Sequence, residues 1–387
     1  MKKFIDYGRF FVFKKMKILL FANRFAFEYS IELANNLSLK NNISKVMLML
    51  PNNKLDEFQR SQISDLVHFH PFEAVSDSNI IGSLEVIRDI RRIIVNEKPD
   101  IFHMQGSGNF YFLFLYPFLK KIKIIDTIHD AQPHPGFDRL RTRLMRWNTL
   151  RNTNHWFTHG ENLKNKMVGQ YSFPREKITV IPKGHYGIFK NYSSDIHQEE
   201  LNSVLFFGNI TKYKGLEYLI KAEPLISHYV KDLKITIAGK IANGRSKDAN
   251  SELKRYVKLM ENKNRFKILN QRVPSNLVPE LFQKASLIIM PYVEASQSGV
   301  LSIAFGFGKA VVITDVGALS EIVKQGKTGY IVEPRNVGML ALAIIKLFKN
   351  SNIKNSFEAE SYAYAKNELS WERVTDITVA KYFNILN

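Results

Sequence analysis

The sequence predicts an α/β protein of two Rossmann-like domains that face each other across a cleft. Three observations carry that prediction. Short, β-branched apolar runs alternate with stretches of helical spacing from Met16 almost to the end of the chain, the pattern of parallel sheets with crossover helices. Polar residues gather where those apolar runs stop, which is where open α/β sheets bind ligands. At 387 residues the chain has room for two full cores.

From the N-terminus, Lys17–Ala22 reads as a strand and Phe27–Leu39 as a helix. Val46–Leu50 is a strand, Leu84–Asn96 a helix carrying Arg88, Arg91 and Arg92, and Asp100–Met104 a strand. Phe110–Leu119 is a ten-residue apolar run with a proline in it, and so far short of the roughly 20 residues a membrane span needs. Lys123–His129 is a strand that ends in Thr127, His129, Asp130, Gln132 and His134. Asp138–Asn152 places Arg139, Arg143 and Arg146 on one helical stripe beside Leu140, Leu144 and Trp147. Such a basic amphipathic helix is either a solvated face or a surface for anionic lipid. His155–Thr158, Glu161–Tyr171 and Ile178–Ile181 complete the first sheet.

The stretch Lys183–Gln198 has no regular period and reads as the connector. Beyond it Val204–Phe207, Leu233–Ala238 and Phe266–Leu269 are strands. Helices start at Leu216 and span Asn250–Glu261, and Ser275 or Asn276 is the expected cap of a helix ending at Lys284. Leu319–Lys324, Val337–Lys349, Phe357–Lys366 and Trp371–Phe383 are helical, and Gly329–Val332 is a strand. The domain division is thus 1–187, a linker over 188–199, 200–368, and a terminal helix over 369–387. Residues 1–15 stand apart as an extra arm: either a membrane-touching segment or residues ahead of a natural start at Met16.

The most informative stretch is Met290–Gly317, MPYVEASQSGVLSIAFGFGKAVVITDVG. A buried strand ends at Pro291, a polar loop carries Glu294, and helical spacing begins at Val300. The strand Ala310–Thr314 comes next. Backbone N–H groups of Ser298, Gly299 and Val300 would open that helix, and a helix N-terminus attracts an anion such as phosphate. Glu294 beside a phosphate site is either a solvated loop residue or an acceptor for hydroxyls on a neutral group joined to the phosphate.

This stretch resembles the donor site of family 4 glycosyltransferases with the GT-B fold. The resemblance rests on Pro-x-x-Glu, the Gly-containing loop, the small-residue helix and the strand ending Thr-Asp-Val-Gly. It runs in motif order over about residues 16–370. It implies a retaining transfer of a sugar from a nucleotide-diphosphate donor, without a resident cofactor or metal. It also implies a last helix that crosses back to the first domain, which makes the first domain the acceptor side and the second the nucleotide-sugar side. By that resemblance Glu294 holds the donor sugar, and the second Glu of the family's pair is Ser302 here, which shifts the expected ribose contact to Ser302 or another group. Gly208, Lys214 and Gly215 match the diphosphate loop, while Asn209 stands where the family has arginine. Arg272 lies in the segment that contacts the nucleotide base, and Ser298, Gly299 and Val300 hold the diphosphate. His129 resembles the first-domain histidine that reaches the donor sugar, with Asp130 and His134 on the acceptor side. From the residues alone His129 is also readable as a structural histidine.

Formal net charge is +19, of which residues 1–190 carry +12 and the rest +7. A basic face suits an anionic substrate, anionic membrane lipid or nucleic acid. Charge alone supports the last, so specific nucleic-acid binding is not expected. There are no cysteines, which excludes disulfides and thiolate metal sites and fits a reducing cytoplasm. No Gly-x-x-x-x-Gly-Lys-Ser/Thr or Gly-x-Gly-x-x-Gly opens a strand–helix unit, which argues against P-loop kinases and dehydrogenases. The expected partners are a nucleotide sugar and a saccharide or polyprenyl-diphosphate-linked acceptor, in bacterial surface polysaccharide assembly on the inner face of the membrane. The alternative is a non-catalytic glycosyltransferase-like subunit that binds sugar nucleotide or membrane, a reading that Ser302 and Asn209 favour.

Overall fold

A computed structural model describes residues 15–23, 26–75, 79–106, 112–129, 147–192, 195–241, 249–295 and 297–387. The arm over 1–14, Asp130, His134, Ser296 and most of the basic stretch 138–152 lie outside the described residues, as does part of the apolar run 110–119.

Two parallel sheets form the frame. The first has strand order β3-β2-β1-β4-β5-β6-β7. Its strands are β1 (Met16–Phe21), β2 (Ile43–Pro51), β3 (Val67–Phe72), β4 (Ile101–Met104), β5 (Lys123–Ile128), β6 (His155–Thr158) and β7 (Ile178–Val180). The second has order β10-β9-β8-β11-β12-β13. It contains β8 (Ser203–Phe207), β9 (Lys234–Ala238), β10 (Phe266–Leu269), β11 (Leu287–Met290), β12 (Val311–Thr314) and β13 (Gly329–Val332). All pairings between these strands are parallel. The central strands are buried almost throughout because helices cover both faces, and they are mostly apolar, His103 in β4 and Asp126 and Thr127 in β5 being buried exceptions. Each sheet reverses its winding once, between β1 and β4 in the first and between β8 and β11 in the second. A crevice opens at such a reversal, outside the carboxyl ends of the strands.

Several expected elements are corrected. β3 was not expected. Its sequence VHFHPF carries two histidines and a proline and is buried only at its ends, which suits an edge strand that leaves polar groups to water. The helix Val278–Lys284 is not capped by Ser275 or Asn276. Those residues form a 3₁₀ turn, Ser275–Leu277, and Leu277 enters the helix without a side-chain cap. The helix expected from Phe357 begins at Ser351, where Asn350 accepts the N–H of Ile353; that N-cap lies upstream of the apolar residues that marked the helix.

The connecting segment is an apolar wedge. Tyr186, Ile188, Phe189 and Tyr192 are buried, and they join residues of both sheets in one continuous core. Phe189 stacks on Tyr192, and Tyr192 on Phe58. The last helix, Trp371–Leu386, returns to the first sheet and packs on the helix Phe27–Ser38. Its buried residues Trp371, Val374, Val379 and Tyr382 join the same core, and Lys40 pairs with Asp376 at 2.5 Å. Among the described residues, no helix is long and apolar enough to cross a membrane.

Candidate functional site

The loops after β8 and β11 meet at the second sheet's reversal. Gly208 comes directly after β8, and Lys214 lies in the 3₁₀ turn Lys212–Lys214 that leads into the helix Leu216–Tyr229. Lys214 is buried. Its Nζ donates to the carbonyl of Phe207 at 3.4 Å and sits 5.4 Å from the centre of the Tyr292 ring. A Cβ at Gly208 would lie 2.6 Å from that ammonium, so the glycine makes the space in which the lysine stands. Burial lowers the Lys214 pKa to about 8, because removing water penalises the charged form. Among the described residues no carboxylate pairs with it.

Val300 comes to the same place from the other loop, its Cγ2 3.4 Å from the position a Gly208 Cβ would take. It lies in the first turn of the helix Gly299–Gly306, whose N-cap Ser298 accepts the N–H of Leu301. Among the described residues nothing accepts from the N–H groups of Ser298, Gly299 or Val300. A buried ammonium and three outward amides therefore converge at one sheet reversal, and together they are complementary to an anion.

Glu294 stands exposed in the loop between them. The loop is held from both sides. The N–H groups of Val293 and Glu294 donate to the Tyr213 carbonyl at 2.7 and 3.4 Å. Thr314 donates to the Tyr292 carbonyl at 2.5 Å. Gly317, at φ +55°, passes so close that a Cβ there would lie 1.6 Å from the Ala295 carbonyl oxygen. The carboxylate is thus carried on a fixed backbone one short loop from the anion site. Asn209 and Arg272 are exposed, and Arg272 lies near enough to the Glu28 carboxyl of the first unit to act on its charge. Ser302 is buried inside the helix, where its carbonyl accepts the N–H of Tyr186 from the wedge at 3.0 Å.

On the first sheet His129 stands just past β5. It is half-buried, and its Nε2–H donates to Gln105 Oε1 at 3.0 Å. Burial, helped by the nearby charges of His159 and Lys183, holds its pKa well below the usual range, so the ring is neutral. Tyr29 meets it edge-on at 5.2 Å, and His159 lies 4.9 Å away.

The sequence reading missed Gln105, His159, Tyr29 and Lys183. Gln105 and His159 each stand directly after a strand, the same signal that singled out His129. Glu28 and Glu32, on the helix Phe27–Ser38, were missed too. Burial raises both carboxyls, Glu32 to about 7, and Glu28 accepts from Gln59 at 2.7 Å.

The two units touch across the crevice. Lys183 Nζ donates to Gln297 Oε1 at 3.0 Å. The Glu321 carboxylate accepts the N–H groups of Glu161 and Asn162, both at 2.8 Å, at the start of the helix Glu161–Tyr171.

Comparison with known proteins adds to this geometry. Residues 202–350 match the model of the glycosyl transferases group 1, and residues 31–185 match that of Glycosyltransferase Family 4. The chain is 25% identical over 236 residues to an uncharacterized glycosyltransferase of Methanocaldococcus jannaschii, covering 58% of each chain. It is 26% identical over 229 residues to a D-inositol 3-phosphate glycosyltransferase of Paenarthrobacter aurescens, covering 56% of this chain and 54% of that one. The chain thus spans a little over half the length of these curated relatives. Among solved structures it superposes on a glycosyltransferase from Rickettsia africae with TM-score 0.73 at 16% identity, covering 96% and 99% of the two chains. It superposes on Anabaena HepE in complex with UDP-glucose with TM-score 0.72 at 15% identity, covering 95% and 100%. At those identities the superpositions speak for the fold.

Proposed function

The chain belongs to the GT-B glycosyltransferases of group 1, and from that premise we propose that it moves a sugar, with retention, from a nucleotide-diphosphate donor to a saccharide or lipid-linked acceptor. The observation that carries this reading is Lys214: a buried ammonium without a carboxylate partner among the described residues, beside three outward helix amides. Burying a cation is unfavourable unless something pairs with it, and a diphosphate supplies that pair.

In the reaction the acceptor hydroxyl oxygen bonds to the anomeric carbon as the bond from that carbon to the diphosphate oxygen breaks, and the hydroxyl proton leaves with the diphosphate. Negative charge grows on the departing phosphate oxygens, where Lys214 and the amides of Ser298, Gly299 and Val300 stabilise it, as an oxyanion hole does. Glu294 accepts hydrogen bonds from sugar hydroxyls and so fixes the ring. His129, being neutral, meets the sugar from the opposite unit without adding charge. Arg272 lies beside the base, and Asn209 beside the diphosphate loop. No metal or cofactor is needed for these steps.

An anionic membrane surface is the partner we assign to the first unit. The helix Ile80–Glu97 and the segment Phe112–Leu119 share one core cluster, and around it Leu84, Phe114, Phe118 and Trp147 are exposed. Arg91 lies over Phe118 at 4.0 Å and Arg151 over Trp147 at 4.7 Å. Exposed aromatic rings with cations against them suit a lipid interface, where a lipid-linked acceptor in surface polysaccharide assembly would be presented.

The test is a panel of sugar nucleotides scored by thermal stabilisation and then by transfer or donor hydrolysis. One donor should stabilise the chain and be consumed, and Glu294→Ala should keep the melting temperature but lose turnover by on the order of 100-fold or more. Binding without consumption would point to the non-catalytic alternative, and full turnover by Glu294→Ala would refute the site.

A further inference from the structure

The strand β4 reads Ile-Phe-His-Met, and His103 in its middle is fully buried. A histidine there has to be satisfied by the protein. His103 Nδ1 lies 2.5 Å from the Tyr382 hydroxyl, and its Nε2 lies 2.7 Å from Thr127 Oγ1 and 3.5 Å from Gln105 Nε2. Gln105 in turn accepts from His129 Nε2–H at 3.0 Å. Thr127, Gln105 and Tyr382 are themselves buried. These contacts make one unbroken string: Tyr382 on the returning terminal helix, His103 on β4, Gln105 just past β4, and His129 just past β5.

A second route runs beside it. Trp371, at the start of the same helix, meets Tyr29 at 5.0 Å, and Tyr29 meets His129. Trp371 also donates to the His185 carbonyl in the wedge at 2.9 Å. The terminal helix therefore touches the surroundings of His129 through a polar string and through a ring stack.

The proton positions along the string are mutually constrained. Gln105 Oε1 can only accept, so His129 carries its proton on Nε2. The Gln105 amide nitrogen can only donate, so His103 Nε2 presents its lone pair, and His103 Nδ1–H donates to the Tyr382 oxygen. Burial lowers the His103 pKa to about 3, which keeps that ring neutral as the assignment requires. Each group fixes the tautomer of the next. Among the described residues, the other groups facing His129 are Tyr29 from the helix Phe27–Ser38, His159 after β6 and Lys183 after β7.

We infer that Gln105, His103 and Tyr382 are positioning residues for His129, through which the terminal helix sets the tautomer and orientation of that ring. The consequence for catalysis rests on the reading of His129 as a sugar contact, but the arrangement itself does not. The test needs no donor. Ring-nitrogen NMR shifts are recorded on the full chain with isotope-labelled histidine, the His129 signals being those lost in His129→Gln.

In the unaltered chain His129 should show the single neutral tautomer with the proton on Nε2. Gln105→Leu should move its shifts toward those of a tautomer mixture. Tyr382→Phe removes one hydroxyl while keeping the ring, and should move the His103 signals fully and the His129 signals in the same direction by less. Thr378→Val removes a different buried hydroxyl of the same helix, one that donates to the Val374 carbonyl, and should leave His129 unmoved. His129 signals that stay put in Tyr382→Phe overturn the inference, as does an equal shift in Thr378→Val, which would mark a general loosening of the helix. Because the readout is spectroscopic, absence of transferase activity would leave it standing.

Discussion

The two sheets make opposite kinds of surface. At the β8/β11 reversal the chain offers charge: Lys214 buried, helix amides outward and Glu294 on a clamped loop. On the first sheet, past β4, β5 and β6, it offers the neutral ring of half-buried His129, backed by the buried Gln105, His159 and Tyr29, with Lys183 alongside and both carboxyls of the neighbouring helix raised by burial. The same strand-and-helix frame therefore gives one wall suited to a diphosphate and one suited to hydroxyls. The difference lies in the residues at the carboxyl end of each strand. Glycine and lysine after β8 admit and attract an anion, while histidine after β5 and β6, in a dry setting, stays uncharged.

The largest expected effect breaks the charged wall mechanically. Gly317→Ala puts a methyl into the Ala295 carbonyl, so the Glu294 loop must move; turnover should fall on the order of 100-fold, in a chain that loses roughly 1–3 kcal/mol of stability. Next is the contrast between the walls. Lys214→Ala should weaken nucleoside-diphosphate affinity by roughly 10- to 100-fold, as for a charged hydrogen bond of about 1.5–3 kcal/mol, whereas His129→Ala should leave it within about twofold by calorimetry. Equal losses in both variants would erase the distinction.

A pH series sharpens it. Below about 8 Lys214 is charged and should pair with a diphosphate; above, the neutral form grows. Diphosphate affinity should therefore fall as pH rises beyond about 8, by up to roughly tenfold per unit, and the slope should vanish in Lys214→Met. The smallest effect concerns the contact between the units: Glu321→Ala removes two hydrogen bonds at an exposed helix start and should cost under about 1 kcal/mol in a denaturant titration.

The walls also differ in how far they could be read from sequence. The strand β11, the helix after it and the loop between them are set by local pattern, since a buried run, a proline and helical spacing are adjacent in the chain. Gly208 and Lys214 were legible through spacing, but the burial that sets the character of Lys214 depends on Val300 and Tyr292, some 80 residues away. The histidine wall was half legible. His129 was found by its place after a strand, but its partners were not, because Tyr382 lies 279 residues from His103 and no local pattern joins them. Ser302 was placed by motif order, whereas its burial in a helix that meets Tyr186 of the connector depends on residues more than 100 positions away and was not legible.

Glu321 caps a helix that belongs to the other half of the molecule, so two amides at that helix end are held by the protein only while the halves touch, and by water otherwise. Dissolved salt screens that exposed contact, but one continuous apolar core spans both halves, so the radius of gyration by solution scattering should hold as ionic strength rises. Ionic strength would then act on this protein at its grip on a charged guest and not at the joint between its halves.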